Sequence, residues 1–309
     1  MQALAIQSEI GDRAGQATTL GNIGHIHLDR GELATALDQF EQALAAHREA
    51  GNRAGEALNL DSIGSVHRVR GDFDAALGHY GPALVIRREI RDLAGEASTI
   101  NNIGWICQHR GDLKAAVAHD ERSLAIYQLL GDRANKATAL CNVASVCHQE
   151  GKSGEALDYF RQSLDIRREI GDRPGQAATL NNIAFVLKQQ GNADAALAFY
   201  VDALAIAREL GYPLDEAMAL NNIGSVHWDK GQASEANDAY VQTLAIYEQV
   251  GDRAGAATVL NNIGSVHGKL GELGMALQYY ARALATSREI GDKTGEAAAL
   301  SNIGSVHHR

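Results

Sequence analysis

The amino-acid sequence predicts an all-α fold, an α-solenoid of stacked antiparallel helix pairs, and three observations carry that expectation. The first is composition: 309 residues, 45% of them hydrophobic but only 5% aromatic, with three prolines. Such a chain has ample apolar matter for a core and draws it largely from alanine and leucine, which cost a helix least. The second is a strict period. Displaced by forty residues, the sequence lays Gly11, Gly51, Gly131, Gly171, Gly211, Gly251 and Gly291 over one another, with Arg91 the one substitution and no insertion or deletion. The third is spacing: apolar residues recur at intervals of three and four, the signature of a helix with one buried stripe.

Taken in order, residues 1–10 form a half-unit. Seven complete repeats follow at 11–50, 51–90, 91–130, 131–170, 171–210, 211–250 and 251–290, and residues 291–309 are a closing half-unit. The expectation is a single solenoid over 1–309 with no linker and no second domain. Within the first complete unit, Leu20, Ile23, Gly24 and His27 mark one helix, and Ala36, Phe40, Ala43, Leu44 and His47 mark another. Gly31 separates them as a left-handed stop, with Glu32 and its counterparts Asp72, Asp112 and Asn192 opening the second helix. Each second helix ends at a glycine of the Gly11 column, followed by an Asp or Asn such as Asp12, Asn52, Asp132, Asp172 or Asp252 that can cap the next helix. Neither helix can bury its stripe alone, so pairs stack on pairs. Pro174 and Pro213 fall in first turns, where proline is tolerated. Gly78, Gly81 and Pro82 fall inside a second helix, and a kink is expected there.

The spacing Leu20-x2-Ile23-Gly24-x2-His27, then Ala36-x3-Phe40, resembles the tetratricopeptide repeat over the whole chain. The repeats depart from that family in their length of forty and in lacking its terminal proline, so the second helix is expected to run about one and a half turns longer. Elongated units of this kind look like those of kinesin light chains, spindle-orientation adaptors and bacterial signalling proteins. The resemblance implies a right-handed superhelix whose concave groove holds peptides or other protein segments.

Other classes find little support. Lys and Arg number 28 against 38 Asp and Glu, a formal charge of −10 that repels a phosphate backbone, and no basic stripe offsets it; nucleic acid is not an expected partner. The start, QALAIQSEIGDR, lacks a signal peptide's basic and apolar regions, and no run is long and apolar enough for a membrane. Three irregularly placed cysteines, Cys107, Cys141 and Cys147, suit small core positions in a reducing compartment; a cytoplasmic protein is expected. The repeated LNNIGSVH at 220–227 and 260–267 offers a serine and a histidine, but residues two apart on a helix point roughly 200° apart and cannot act together. His27, His67, His227 and His267 share a packing column with Cys107, Cys147 and Leu187. No phosphate loop, dinucleotide fingerprint, HExxH or CxxC occurs. Neither catalysis, metal nor cofactor is expected.

What remains is the sector of the first helix opposite its core stripe, the columns of residues 18, 21, 22, 25, 28 and 29. In the resembling family it lines the concave surface. One column holds Asn22, Ser62, Asn102, Asn142, Asn182, Asn222, Asn262 and Asn302, and the preceding column adds Asn101, Asn181, Asn221 and Asn261. Amides carry donors and an acceptor, so such a ladder can hold an extended peptide backbone; the same groups can instead bond to neighbouring helices or water. Trp105, Phe185 and Trp228 stand out as anchors for a partner's apolar side chains, or as rings covered by their neighbours, and His148 and Lys188 vary the same face. Arg68, Lys188 and Lys269 are offset by Asp29, Asp61 and Asp229, so no clamp for a carboxylate is evident.

The reading is a non-catalytic scaffold for protein or peptide segments. Two alternatives stand beside it: a sensor region of a larger bacterial signalling enzyme, and a structural scaffold that self-associates through uncapped terminal helices.

Overall fold

A computed structural model describes residues 2–308, with Gln2, Ala3, Ala5 and Ser8 entering through their backbone alone. The chain falls into two compact units, residues 1–159 and 160–309. The first holds α1 (Gln2–Glu9), α2 (Arg13–Asp29), α3 (Leu33–Glu49), α4 (Arg53–Arg70), α5 (Phe73–Glu89), α6 (Leu93–His109), α7 (Leu113–Leu130) and α8 (Arg133–Gln149). The second holds α10 (Arg173–Gln189), α11 (Ala193–Leu210), α12 (Pro213–Asp229), α13 (Ala233–Val250), α14 (Arg253–Lys269), α15 (Leu273–Ile290) and α16 (Lys293–His307), and α9 (Ser153–Glu169) runs across the division. Among the described residues there is no strand. Within each unit consecutive helices pack on one another, the solenoid arrangement, and first helices also touch: α2 with α4, α4 with α6, α6 with α8, and α14 with α16.

The helix ends follow from local chemistry. Asp12, Asp92, Asp172 and Asp252 each accept a hydrogen bond from the backbone N–H three residues on, at 2.9 Å, and Asn52 does so at 3.0 Å. These side chains satisfy donors that the first turn leaves free. Second helices start less firmly: Glu32, Asp72 and Asn192 make no such bond, whereas Asp112 caps Ala115 at 3.1 Å. The inter-helix glycines adopt positive φ, and Arg91, alone in its column without glycine, is forced to φ 59°.

The extra length of the unit is shared between its helices: α11 and α15 exceed α10 and α14 by one residue, 18 against 17, whereas α2 and α3 both have 17 and α4 with 18 exceeds α5 with 17. α5 runs unbroken through Pro82.

The core repeats with the sequence. In the first unit Ala36, Phe40, Ala57, Leu60, Ile63 and Val66 are buried together; in the second Ala236, Tyr240, Leu260, Ile263, Val266 and Ala283 repeat the arrangement. Each large apolar side chain removed from water contributes about 1.5–3 kcal/mol. The Gly24 column is small for a reason visible in the packing: a Cβ on Gly24 would lie 2.7 Å from Phe40, and one on Gly224 2.7 Å from Tyr240. The aromatic ring of the second helix approaches bare backbone of the first too closely for a side chain to stand between. Asp120 breaks this rule, occupying the aromatic column at 1% exposure with its Oδ1 lacking a hydrogen-bond partner.

Candidate functional site

In the first unit, the face opposite the core is partly spent on contacts between repeats. Asn142 Nδ2 donates to Asn101 Oδ1 at 2.7 Å, joining α8 to α6, and both amides are half-buried, as is Asn102. Trp105 is half-buried too. Its ring stacks on His109 at 3.5 Å, meets Phe73 edge-on at 6.0 Å and carries the Arg68 guanidinium at 4.7 Å. The indole therefore packs adjacent repeats together. His148 is half-buried with Nδ1 3.2 Å from Ser153 Oγ.

Asp61 corrects the charge tally drawn from sequence. It does not lie on the surface to offset Arg68: it is buried, taking hydrogen bonds from Arg87 Nε at 2.9 Å and Nη2 at 2.5 Å and from Thr99 Oγ1 at 2.9 Å. Burial raises its pKa, opposed by the Arg87 charge and these bonds. The carboxylate stands where other repeats carry the ladder's amide, and it turns inward because Arg87 offers a partner there.

In the second unit the ladder is more continuous. Asn262 Nδ2 donates to Asn221 Oδ1 at 3.2 Å and Asn302 Nδ2 to Asn261 Oδ1 at 3.4 Å, the same forty-one-residue step as Asn142 to Asn101. Asn261 also donates to Ala257 O at 3.3 Å. The donating amides of Asn142, Asn262 and Asn302 each spend one N–H on their neighbour and keep a second, while Asn101, Asn221 and Asn261 accept through their carbonyl oxygens. Between α10 and α12 the pattern opens. Asn181 is 7% exposed with its Oδ1 unpartnered, Asn182 is exposed, and Asn222 is half-buried. Beside them Phe185 is 47% exposed. Lys188 reaches across to Ser225 Oγ at 2.5 Å and to Asp229 Oδ2 at 3.1 Å.

Trp228 is half-buried against the core around Tyr240, with Lys269 Nζ 4.5 Å from its ring centroid. Next to it opens a cavity of about 600 Å³, lined among others by Trp228, Ser265, Gly268, Lys269, Tyr280 and Asn302. Sequence reasoning placed Asn302 in the amide column but did not single out Gly268 or Ser265. The signal for Gly268 is its column, in which Leu28, Arg68, Gln108, His148, Lys188 and Trp228 all carry side chains.

The histidine column serves the turns. Nδ1 of His27 and of His267 lies 2.5 Å from Glu32 and Glu272, and that of His227 lies 2.9 Å from Gln232 Oε1. Ser225 and His227 have different partners, so they form no catalytic pair. Among the described residues no group of three or more His, Cys, Asp or Glu could hold a metal ion, and no helix is long and apolar enough to cross a membrane.

Repeated helix pairs with a small residue facing an aromatic ring define the class. The chain belongs to the tetratricopeptide repeat family, whose profile matches residues 1–49, 54–129, 97–169, 175–249 and 255–309. Comparison with curated proteins gives no significant match. Among solved structures, BtubC (BKLC) from P. vanneervenii is 20% identical with a TM-score of 0.64, over 70% of this chain and 91% of that one. A signal transduction ATPase with a tetratricopeptide repeat sensor, from Pyrococcus horikoshii, is 14% identical with a TM-score of 0.67, over 95% of this chain but 47% of its own. A Rap protein complexed with competence and sporulation factor is 13% identical with a TM-score of 0.62, over 98% of both chains. At these identities the likeness is one of fold.

Proposed function

We propose that the chain is a non-catalytic interaction scaffold that binds an extended peptide or protein segment along the first-helix face. The observation that carries this reading is the row of half-buried amides on α12, α14 and α16, fixed in place by Asn262–Asn221 and Asn302–Asn261 bonds and each still holding unspent donors and acceptors. Groups held on rigid helices lose little freedom on binding, and backbone amides of an extended segment are their natural complement. Within the first unit Asn101, Asn102 and Asn142 lie on its first-helix face; within the second Asn181, Asn182, Asn222 and Asn261 do so, with Phe185 as that unit's exposed aromatic anchor. Trp105 and His148 shape the face of the first unit, and Lys188 and Trp228 that of the second, from positions braced by their neighbours.

The experiment is capture of partners by the native chain and by the triple variant Asn182→Ala, Asn222→Ala, Asn262→Ala, with equal helicity verified by circular dichroism. Partners are lost from the variant; equal recovery from both overturns the reading. A second reading, a sensor region within a longer signalling protein, is favoured by the match to less than half of the ATPase with a repeat sensor. It uses the same face and differs in what lies outside these residues.

A further inference from the structure

In the first unit a cavity of about 240 Å³ lies between α2 and α4 beside the last turn of α3, lined among others by Gly21, Asn22, His47, Asn52, Leu58 and Asn59. Gly21 stands in the column of Asp61, Asn101, Asn181, Asn221 and Asn261, so the side chain that fills this place elsewhere is missing. Backbone geometry does not demand the glycine. Its φ is not positive, and an added Cβ would meet only Asn59 Oδ1, at 3.4 Å.

Forty residues on, the same place is filled and charged. There Asp61 takes hydrogen bonds from Arg87 Nε and Thr99 Oγ1, each at 2.9 Å, and Arg87 Nη1 also donates to Asp92 Oδ2 at 2.5 Å. At the cavity every member of that cluster has a counterpart without fixed charge: Gly21 for Asp61, His47 for Arg87, Asn52 for Asp92 and Asn59 for Thr99. Among the described residues no Asp, Glu, Lys or Arg lines it.

The polar groups of the lining are unmet. His47 is 4% exposed, its Nδ1 is buried, and neither ring nitrogen has a hydrogen-bond partner among the described residues. Burial lowers its pKa and keeps the ring neutral, with one N–H to give and one lone pair to fill. Asn59 spends one N–H on Gly55 O at 2.9 Å, and Asn52 spends its carbonyl on Gly55 N at 3.0 Å. The Asn59 carbonyl and the Asn52 amide N–H groups are left over. A charged group entering here would give up its hydration with no countercharge to meet it. A group that both donates and accepts without charge suits the lining, and a carboxamide is what the missing column carries in Asn101, Asn181, Asn221 and Asn261.

We infer that this cavity binds a ligand through an uncharged primary carboxamide, with the rest of the ligand against Ala54 and the exposed Leu58. The site lies in the first unit and draws His47 from a second helix, so it does not depend on the extended-segment reading above.

The carboxamide can belong to a free small molecule or to a Gln side chain of a partner, and two arms of one test separate these sources. In the first, the full chain is titrated with nicotinamide and with its acid twin, nicotinate. In the second it is titrated with alanine peptides bearing one central Gln or Glu, acetylated and N-methylamidated so that no terminal carboxamide remains. Binding is read from the His47 ring resonances by NMR, identified by their absence from His47→Gln. Nicotinamide, the Gln peptide or both shift these resonances and bind about tenfold more tightly than their acid twins. Gly21→Asn, shown to be folded by circular dichroism and melting, puts a carboxamide of the chain's own in the cavity and weakens the amide ligands about tenfold or more. His47 resonances that neither amide moves, acids bound as tightly as amides, or full binding to Gly21→Asn each overturn the inference.

Discussion

Asp120 is the clearest case of a single side chain at odds with its column. Phe40, Tyr80, Tyr200, Tyr240 and Tyr280 fill the same position with rings, whereas Asp120 buries a carboxyl against Gly104 with Oδ1 unpartnered, and burial pushes its pKa up to about 7. The unfolded chain releases that proton near pH 4. Between these values the folded state holds a proton that the unfolded state does not, so the stabilising contribution is complete below about pH 4 and is lost as pH rises through about 7. Three pKa units correspond to about 4 kcal/mol. Urea midpoints of the native chain should therefore fall relative to those of Asp120→Asn between pH 4.5 and 8; parallel curves would refute the assignment. Arg91 is a second misfit, a bulky residue at φ 59° where its column otherwise has glycine. Arg91→Gly should raise stability by about 0.5–1 kcal/mol, readable as a higher urea midpoint. Neither the Asp61–Arg87 pair nor the proton on Asp120 is visible in sequence. A charge in a repeating column reads as solvated until its partner on another helix, here Arg87, or the lack of one, is known.

Helices are where the sequence is most informative, because punctuation is local. The Asp252 side chain and the Gly255 N–H it caps are three residues apart, and nothing distant is needed to form the bond. Asp252→Ala should cost about 1 kcal/mol, while Asn192→Ala, at a second-helix start whose side chain makes no capping bond, should cost less than about 0.3 kcal/mol. Chemical denaturation of the two variants checks the contrast, and equal losses would show that the second-helix starts are capped in solution after all. The same local logic placed the Gly31-type stops. It could not place Trp105, whose fate as an inter-repeat brace depends on Arg68 and Phe73 thirty or more residues away. Nor could it show that Asn142 would spend a donor on Asn101, since a ladder written in sequence does not say how much of itself it consumes.

A chain whose helices pack on their neighbours in sequence owes its stability to a sum of repeat and interface terms, not to one shared core. That architecture makes a strong demand on deletions within the second unit. Removing residues 211–250 joins Leu210 to Gly251, the residue type that follows Leu210 already. It then offers α11 a new partner, α14, whose Ala257, Leu260, Ile263 and Gly264 stand in the columns of Ala217, Leu220, Ile223 and Gly224 on α12. The apolar contacts are replaced by ones of the same chemistry. The ion pairs Arg208–Glu216, Lys188–Asp229 and Lys230–Asp194 are lost because α14 and its end carry Ala256, Lys269 and Leu270 there, so helicity per residue should be unchanged and the thermal midpoint only modestly lower. Removing residues 211–230 instead deletes α12 alone and sets α11 beside α13, two second helices. Tyr200 and Tyr240 then belong to adjacent helices while Gly224, the bare surface on which Tyr240 lies, is gone. Far-UV circular dichroism and melting of the two deletions decide the matter. If the forty-residue deletion unfolds as badly as the twenty-residue one, stability is not carried by interchangeable neighbours, and the additive picture of this chain fails.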